Sequence, residues 1–231
     1  MTIIYHNDLL QGSDEWHAAR CGLLTASEMK YVLTPTLKIA DNDKTKMHIW
    51  ELASQRITRF TEPSYIGDAM LRGWEDEITA RDLYSERYDP VKEVGFVTND
   101  QWGFTLGYSP DGEVTEKKGG IEVKSRIQKY QVQTIVENKM PDEFMLQVQT
   151  GLLVTGWEWI DFISYSGGLP MATLRITPDA DIQKAIIDAA SAFEAKVVKA
   201  VKTYHENIAS GGRYIPTERR VATEMTEGEY S

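Results

Sequence analysis

The 231-residue chain has a single cysteine, Cys21, so it can form no internal disulfide and is not a disulfide-stapled scaffold. Beside Arg20, that lone thiol reads as a small packed residue rather than a reactive one, and it fits a reducing cytoplasm. Histidine is scarce too. His6, His17, His48 and His205 are scattered, which argues against the His-rich metal centre of a sugar-phosphate or nucleotide phosphohydrolase. No apolar run approaches the ~18 residues that a bilayer span requires, so no membrane role is expected. The opening MTIIYHNDLL lacks a basic segment, an apolar stretch and a small-residue cleavage site, so no secretory signal is expected. There is no internal repeat and no low-complexity tract. Positive charge is in deficit: 25 Lys and Arg against 35 Asp and Glu give a net charge of −10. A surface of that sign does not coat nucleic acid, although it leaves room for a local basic groove.

With 42% hydrophobic and 26% charged residues, the chain reads as a soluble globular protein. Its length suits one domain over 1–212 with a polar, acidic tail over 213–231. Lys117, Lys118, Lys124, Arg126 and Lys129 crowd together with only Glu116 and Glu122 to oppose them. Taken alone, that cluster reads as a solvated turn. Ser13 is placed to cap a short helix that contains Trp16 and ends near Arg20 and Gly22, and Thr25 or Ser27 opens another. Residues 36–46 read as a polar mobile loop, followed by helices over about 46–60 and 68–87. Strands are expected at 91–98, 102–109 and 120–125, with turns at NDQ and EKKGG. Helices follow near 128–138 and 142–155, the latter started by Pro141. Two further strands are expected at 157–165 and 171–177, then a long helix over about 179–209, stopped by Gly211 and Gly212. This order implies an α/β (α+β) fold, with a mixed central sheet flanked by helices.

The segment GGIEVKSR, Gly119–Arg126, alternates Ile121 and Val123 with Glu122 and Lys124, placing an acid and an amine on one face of a strand. Asp111 lies in the turn of GYSPDG, with ten residues between it and Glu122. A hairpin through EKKGG would bring the two carboxylates together on adjacent strands. Carboxylates that close repel one another, and a divalent metal resolves the conflict. Mg²⁺ takes one or two carboxylates together with water and phosphate. A lysine beside such a site orients the attacking water or stabilises charge on the phosphorus, which is the arrangement of metal-dependent phosphodiester hydrolysis. The alternative is a surface hairpin whose Lys–Glu pair contributes under ~1 kcal/mol. In LRGWEDEITARDL, Trp74 and Ile78 mark a buried stripe with Glu77 at its edge, where its plain alternative is an i,i+4 pair with Arg81. In EFMLQVQTGLLV, Gln149 falls among the apolar Met145, Val148 and Leu152, and a buried amide must find partners. Gln147 points off that stripe and is the weaker candidate.

SPDG, IEVK, a helical Glu after RG, and QVQ together resemble the PD-(D/E)xK nucleases. More narrowly, they resemble the phage lambda exonuclease type of alkaline exonuclease, the YqaJ-like viral recombinases. The segment GSDEWHAARCGLLTASE, Gly12–Glu28, is similar to the first motif of that family, W-x3-R-x-G-x2-T-A-S. The resemblance spans roughly residues 12–150 and implies a restriction-endonuclease-like core. It makes Asp111 and Glu122 the metal-binding carboxylates, the Val123 carbonyl an extra ligand, and Lys124 the catalytic lysine. Glu77 would support a second metal or its water, and Gln149 would contact the nucleophile region. Arg20, Ser27 and Ser109 would form a pocket for a 5′-phosphate, a role suited to an arginine fork and two hydroxyls. The implied cofactor is Mg²⁺, as two ions, with Mn²⁺ as the alternative.

The implied activity is 5′-to-3′ digestion of one strand of double-stranded DNA, releasing 5′-mononucleotides and leaving a 3′ overhang for phage recombination. The implied partners are duplex ends, two further copies of the chain in a homotrimeric ring, and a phage single-strand annealing protein, all in the cytoplasm of a bacterial host. A ring would reconcile the net charge with retention of DNA, because only its channel needs to be positive. The rival readings are a restriction-like endonuclease on the same core and a catalytically idle DNA-end-binding scaffold.

Overall fold

The computed structural model describes residues 2–63 and 67–219. The chain begins with β1 (Ile3–His6) and α1 (Asp14–Arg20), then β2 (Leu24–Thr25) and a 3-10 helix, Ala26–Tyr31. Next come α2 (Asp43–Thr58), α3 (Asp68–Arg87), β3 (Val91–Lys92), β4 (Phe96–Asn99), β5 (Leu106–Tyr108), β6 (Gly112–Val114) and β7 (Gly119–Ser125). The chain continues with α4 (Gln128–Glu137), α5 (Met145–Thr155), β8 (Trp159–Tyr165), β9 (Ala172–Ile176) and α6 (Ala180–Ala209). The fold is mixed α/β, as its pattern implies, but it is built on two sheets rather than one. A four-stranded sheet runs β1-β4-β5-β2 and a five-stranded sheet runs β3-β6-β7-β8-β9. Each combines antiparallel pairs with one parallel pair, β2 with β5 and β7 with β8.

Local chemistry sets the element ends. Ser13 Oγ accepts the Trp16 N–H at 3.2 Å and caps α1. Thr25 and Glu28 form a capping box at the head of the 3-10 helix. Asn42 accepts the Thr45 N–H at 3.1 Å, so α2 begins at Asp43, inside the segment expected to be a loop. Asp179 accepts from Asp181 and Ile182 and starts α6. The expected strand over 91–98 is really two strands, β3 and β4, in different sheets. The break falls at Gly95, where a Cβ would stand 2.1 Å from the Leu9 carbonyl oxygen, so the N-terminal segment can cross there only against glycine. The expected strand over 102–109 shrinks to β5, and the turn that was to follow Asp111 contains the short strand β6. Residues 220–231 of the expected tail lie outside the described residues.

Both sheets share one hydrophobic core. Val97 and Leu106 from the first sheet and Ile160 and Phe162 from the second pack with α5 and with Ile186, Ala189, Ala190, Phe193 and Val197 of α6. The α6 residues recur at helical spacing and form one buried stripe. Arg56 of α2 ties this layer together with a two-pronged pair to Glu194 at 2.6 and 2.8 Å. A smaller cluster lies beyond the second sheet, where Ala80 and Tyr84 of α3 cover Val114, Ile121, Val123 and Ile163. The expected stripe on α3 is displaced: Trp74 and Ile78 are 47% and 54% exposed, and Ala80 and Tyr84 are the buried residues. Among the described residues, no helix is long and apolar enough to cross a membrane.

Candidate active site

Strand β7 carries the site because its neighbour is too short to cover it. β6 pairs Gly112 with Ile121 and Glu113 with Gly120, and the ladder stops there. Asp111, one step further along the same register, falls opposite Glu122, and residues opposed in an antiparallel pair share a face. From Glu122 onward β7 has no ladder partner on that side, and Asp111 Oδ2 accepts the Val123 N–H at 2.6 Å instead. In an extended strand the N–H and C=O of one residue point to the same side, so the Val123 carbonyl also faces this edge.

Glu122 is 1% exposed. A carboxylate at that depth needs partners, and it has three. The Tyr108 hydroxyl donates to Oε2 at 2.7 Å, while Lys124 Nζ and Gln147 Nε2 both donate to Oε1. Asp111 lacks such compensation. Burial, then the Coulombic repulsion of Glu122 and Glu77, hold its carboxyl well above the ordinary range, against the opposing pull of Lys124 and the Val123 N–H. Burial alone would lower the Lys124 ammonium, but the pull of Glu122, Asp111 and Glu77 outweighs it and raises it above its ordinary value. The lysine is therefore a cation through the alkaline range, suited to donating hydrogen bonds and holding negative charge.

Glu77 lies within electrostatic reach of Glu122 and Lys124. Its carboxylate is also engaged by Arg81 Nη1 at 3.4 Å, and that same nitrogen donates to the Asp111 carbonyl at 3.0 Å. Burial raises the Glu77 carboxyl, partly offset by Arg81. Among the described residues, no three Asp, Glu, His or Cys side chains converge as one metal-holding cluster. Two carboxylates with a carbonyl nonetheless fit Mg²⁺, which keeps several waters and rarely uses an all-protein cage. The unrelieved repulsion at Asp111 is the electrostatic demand that such an ion would meet.

The structure corrects the glutamine assignment. Gln149 is buried as expected, but its Nε2 donates to the Thr177 carbonyl at 2.9 Å and its Oε1 accepts the Asp179 N–H at 2.9 Å. It staples α5 to the segment before α6 and does not approach the acids. Gln147, half-buried and passed over, is the amide on Glu122. The missed signal is Gly151, one turn later on the same face of α5. Tyr108 packs so closely there that a Cβ would lie 2.8 Å from its Cζ.

Arg20, Ser27 and Ser109 line one cavity of about 120 Å³ with Trp16, Thr25 and Tyr108. Arg20 Nη1 donates to Ser109 Oγ at 3.0 Å, Nη2 reaches Thr25 Oγ1 at 3.4 Å, and the guanidinium lies 4.2 Å over the Trp16 ring. Among the described residues Arg20 makes no ion pair, and burial pushes it below its ordinary value despite Glu28. Ser109 Oγ also accepts the Trp16 indole N–H at 3.1 Å, so with two donors on its oxygen it retains only its proton to offer. Spare guanidinium donors and a spare hydroxyl donor give this pocket the chemistry that suits an anion. A larger cavity of about 350 Å³, lined by Lys124, Lys30, Phe144 and Glu143, shares Ala26, Ser27 and Gln147 with the first. The lysine and the arginine thus open onto adjoining cavities, and Gln147 and Tyr108, which bond Glu122, stand in their walls. Neither Trp16 nor Tyr108 was singled out in the sequence as lining them.

A family model of the YqaJ-like viral recombinase domain matches residues 15–158. The fold is similar to the crystal structure of an alkaline exonuclease, LHK-Exo, from Laribacter hongkongensis. Identity is 32% and the TM-score 0.75, over 86% of this chain and 99% of that one. LHK-Exo in complex with dAMP matches at 33% identity and a TM-score of 0.76, with the same coverage. A phage related exonuclease from Haemophilus somnus 129PT shares the fold at 15% identity and a TM-score of 0.54, over 79% and 96% of the two chains. No curated protein sequence matches. A family model covering more than half of the chain, together with 33% identity to LHK-Exo over 86% of its length, makes this chain a member of the YqaJ-like viral recombinase family.

Proposed function

We propose that the chain is a Mg²⁺-dependent exonuclease that digests one strand of double-stranded DNA from its 5′ end. The observation that carries this reading is the adjacency of two sites. An acid pair with a half-buried ammonium lies beside a pocket whose arginine has no carboxylate partner among the described residues. The activity of LHK-Exo, an alkaline exonuclease, points the same way. Asp111, Glu122 and the Val123 carbonyl would hold one ion, and Glu77 would support a second or its water. Bound there, a divalent ion supplies a Lewis acid that polarises the phosphodiester and lowers the pKa of a water.

The chain's own groups do the rest. Arg20, Ser27 and Ser109 hold the terminal 5′-phosphate, so the next phosphodiester along the strand lies beside Lys124. The Lys124 ammonium donates to the water or to a phosphoryl oxygen as negative charge develops. Gln147 holds one oxygen of Glu122 in place. Cutting one phosphate inward from an anchored end releases 5′-mononucleotides and leaves a 3′ overhang, the substrate of a phage annealing protein in a bacterial cytoplasm. The exposed apolar side chains of α3 (Leu71, Trp74, Ile78) and of α4 (Val132, Ile135, Val136) support a closed assembly of copies, for which a homotrimeric ring is our reading.

The deciding experiment incubates linear and covalently closed duplex, each end labelled separately, with and without Mg²⁺. Mononucleotides released from 5′ ends of linear duplex, only with Mg²⁺, are expected. Cutting of closed circles would replace the proposal with a restriction-like endonuclease, and no cutting of either would favour an idle end-binding scaffold.

Arg20→Ala is expected to erase the preference for 5′-phosphorylated over 5′-hydroxyl ends. Equal losses on the two substrates would remove the phosphate pocket. The two glutamines give a second contrast. Gln147→Ala should slow cleavage at least tenfold with little change in melting temperature. Gln149→Ala leaves the Thr177 carbonyl and the Asp179 N–H unpartnered, costing about 1–3 kcal/mol of stability at near-normal cleavage rates. Thermal melts and single-turnover rates on both variants separate the two roles.

A further inference from the structure

We infer that Tyr108 is a positioning residue for the divalent cation: its hydroxyl fixes the Glu122 carboxylate so that one oxygen lone pair is left to ligate the ion. This rests on the metal-dependent reading above and extends it to a residue to which that reading gives no role of its own toward the ion.

A carboxylate offers about four lone-pair sites. Lys124 and Gln147 fill both on Oε1, and the Tyr108 hydroxyl fills one on Oε2. The remaining site is on Oε2, so Glu122 is set to make a single-point contact from a fixed direction. Tyr108 has little freedom to do otherwise. Its side chain is fully buried, and Gly151 lets the ring approach α5 so closely that a methyl group there would stand 2.8 Å from Cζ. The next residue makes the arrangement more than local. Successive side chains of a strand point to opposite faces. Tyr108 reaches Glu122, while Ser109 accepts from Arg20 and Trp16. Two adjacent residues therefore join the cation site to the phosphate pocket by a stiff link, and Asp111 follows two positions later.

The test measures Mn²⁺ binding to the full chain without DNA, by electron paramagnetic resonance titration. Wild type is compared with Tyr108→Phe, Gly151→Ala and Glu122→Gln. Phenylalanine keeps the ring and deletes only the donor. Tyr108→Phe should bind Mn²⁺ about 10–100-fold more weakly, the usual effect of losing a group that orients a metal ligand. Cleavage by this variant should recover toward the wild-type rate as Mg²⁺ is raised to saturation. Gly151→Ala displaces the same hydroxyl without deleting it and should weaken Mn²⁺ in the same direction. Wild-type affinity in Tyr108→Phe or in Gly151→Ala, while Glu122→Gln loses the ion, would overturn the positioning role and leave the metal centre standing. Equal Mn²⁺ binding by wild type and Glu122→Gln would instead remove the metal-dependent reading itself.

Discussion

Lys124→Ala is expected to cut the rate of duplex digestion by about 10²–10⁴-fold, the range for losing a positioned proton donor or a charge-stabilising group. The structure adds a second consequence that a simple loss of catalysis does not carry. Lys124 is the cation closest to Glu122 and is held there by Glu122, Asp111 and Glu77 acting together. Removing it leaves three acids with no ammonium between them, so the metal-free variant should melt several degrees below wild type. Mg²⁺ should then raise the melting temperature of the variant more than that of wild type, because the ion meets less opposing charge. Single-turnover kinetics with thermal melts at several Mg²⁺ concentrations check both halves. Near-normal turnover in Lys124→Ala would end the nuclease assignment at this site. A variant destabilised by Mg²⁺ would show that the acids are not where the ion binds.

Asp111→Asn should also abolish cleavage, yet make the metal-free protein more stable. The Asp111 carboxyl is raised by burial first and then by Glu122 and Glu77, so the folded chain holds its proton more tightly than the unfolded chain does. A group of this kind contributes stability that is fully present below its unfolded pKa, about 3.9 for aspartate, and is lost as pH rises through the folded value. At alkaline pH the ionised pair is a standing cost. An amide carries no charge and can still accept the Val123 N–H, so the substitution removes the repulsion but keeps the bond. A gain of about 0.5–2 kcal/mol is expected, in line with other stabilising changes at functional sites. For a chain of this size that corresponds to about 2–4 °C per kcal/mol. The gain should be larger at pH 8 than at pH 5, and added Mg²⁺ should stabilise wild type but not the variant. A variant less stable than wild type at pH 8 without metal would show that Asp111 is not under electrostatic strain.

Period-two and helical spacings are local signals, and where they were strong the sequence located the element. The alternation in GGIEVKS is strand β7. The run from Asp68 to Arg87 is α3, and the apolar recurrence from Ile186 to Val197 is the buried face of α6. Alternation could not tell that 91–98 serves two sheets, because the break at Gly95 depends on Leu9 passing nearby, a contact between residues far apart in the chain. Periodicity also misled at α3, where Trp74 and Ile78 are large and apolar but exposed. Hydrophobicity predicts burial only where another element arrives to cover it.

By itself, the sequence determined which chemistry was at hand: an acid pair with ten residues between its members, a lysine two beyond the second acid, and an arginine with hydroxyls upstream. These follow from residue types and from the fixed period of a strand. Only the tertiary structure decided which glutamine faces Glu122, that Tyr108 holds that carboxylate, and that the Arg20 pocket adjoins the Lys124 cleft. The physical reason is that burial and reach differ. A buried amide such as Gln149 is satisfied wherever a carbonyl and an N–H happen to meet it, and only the packing of α5 on β4, β5 and β8 fixes which side chain meets the acids.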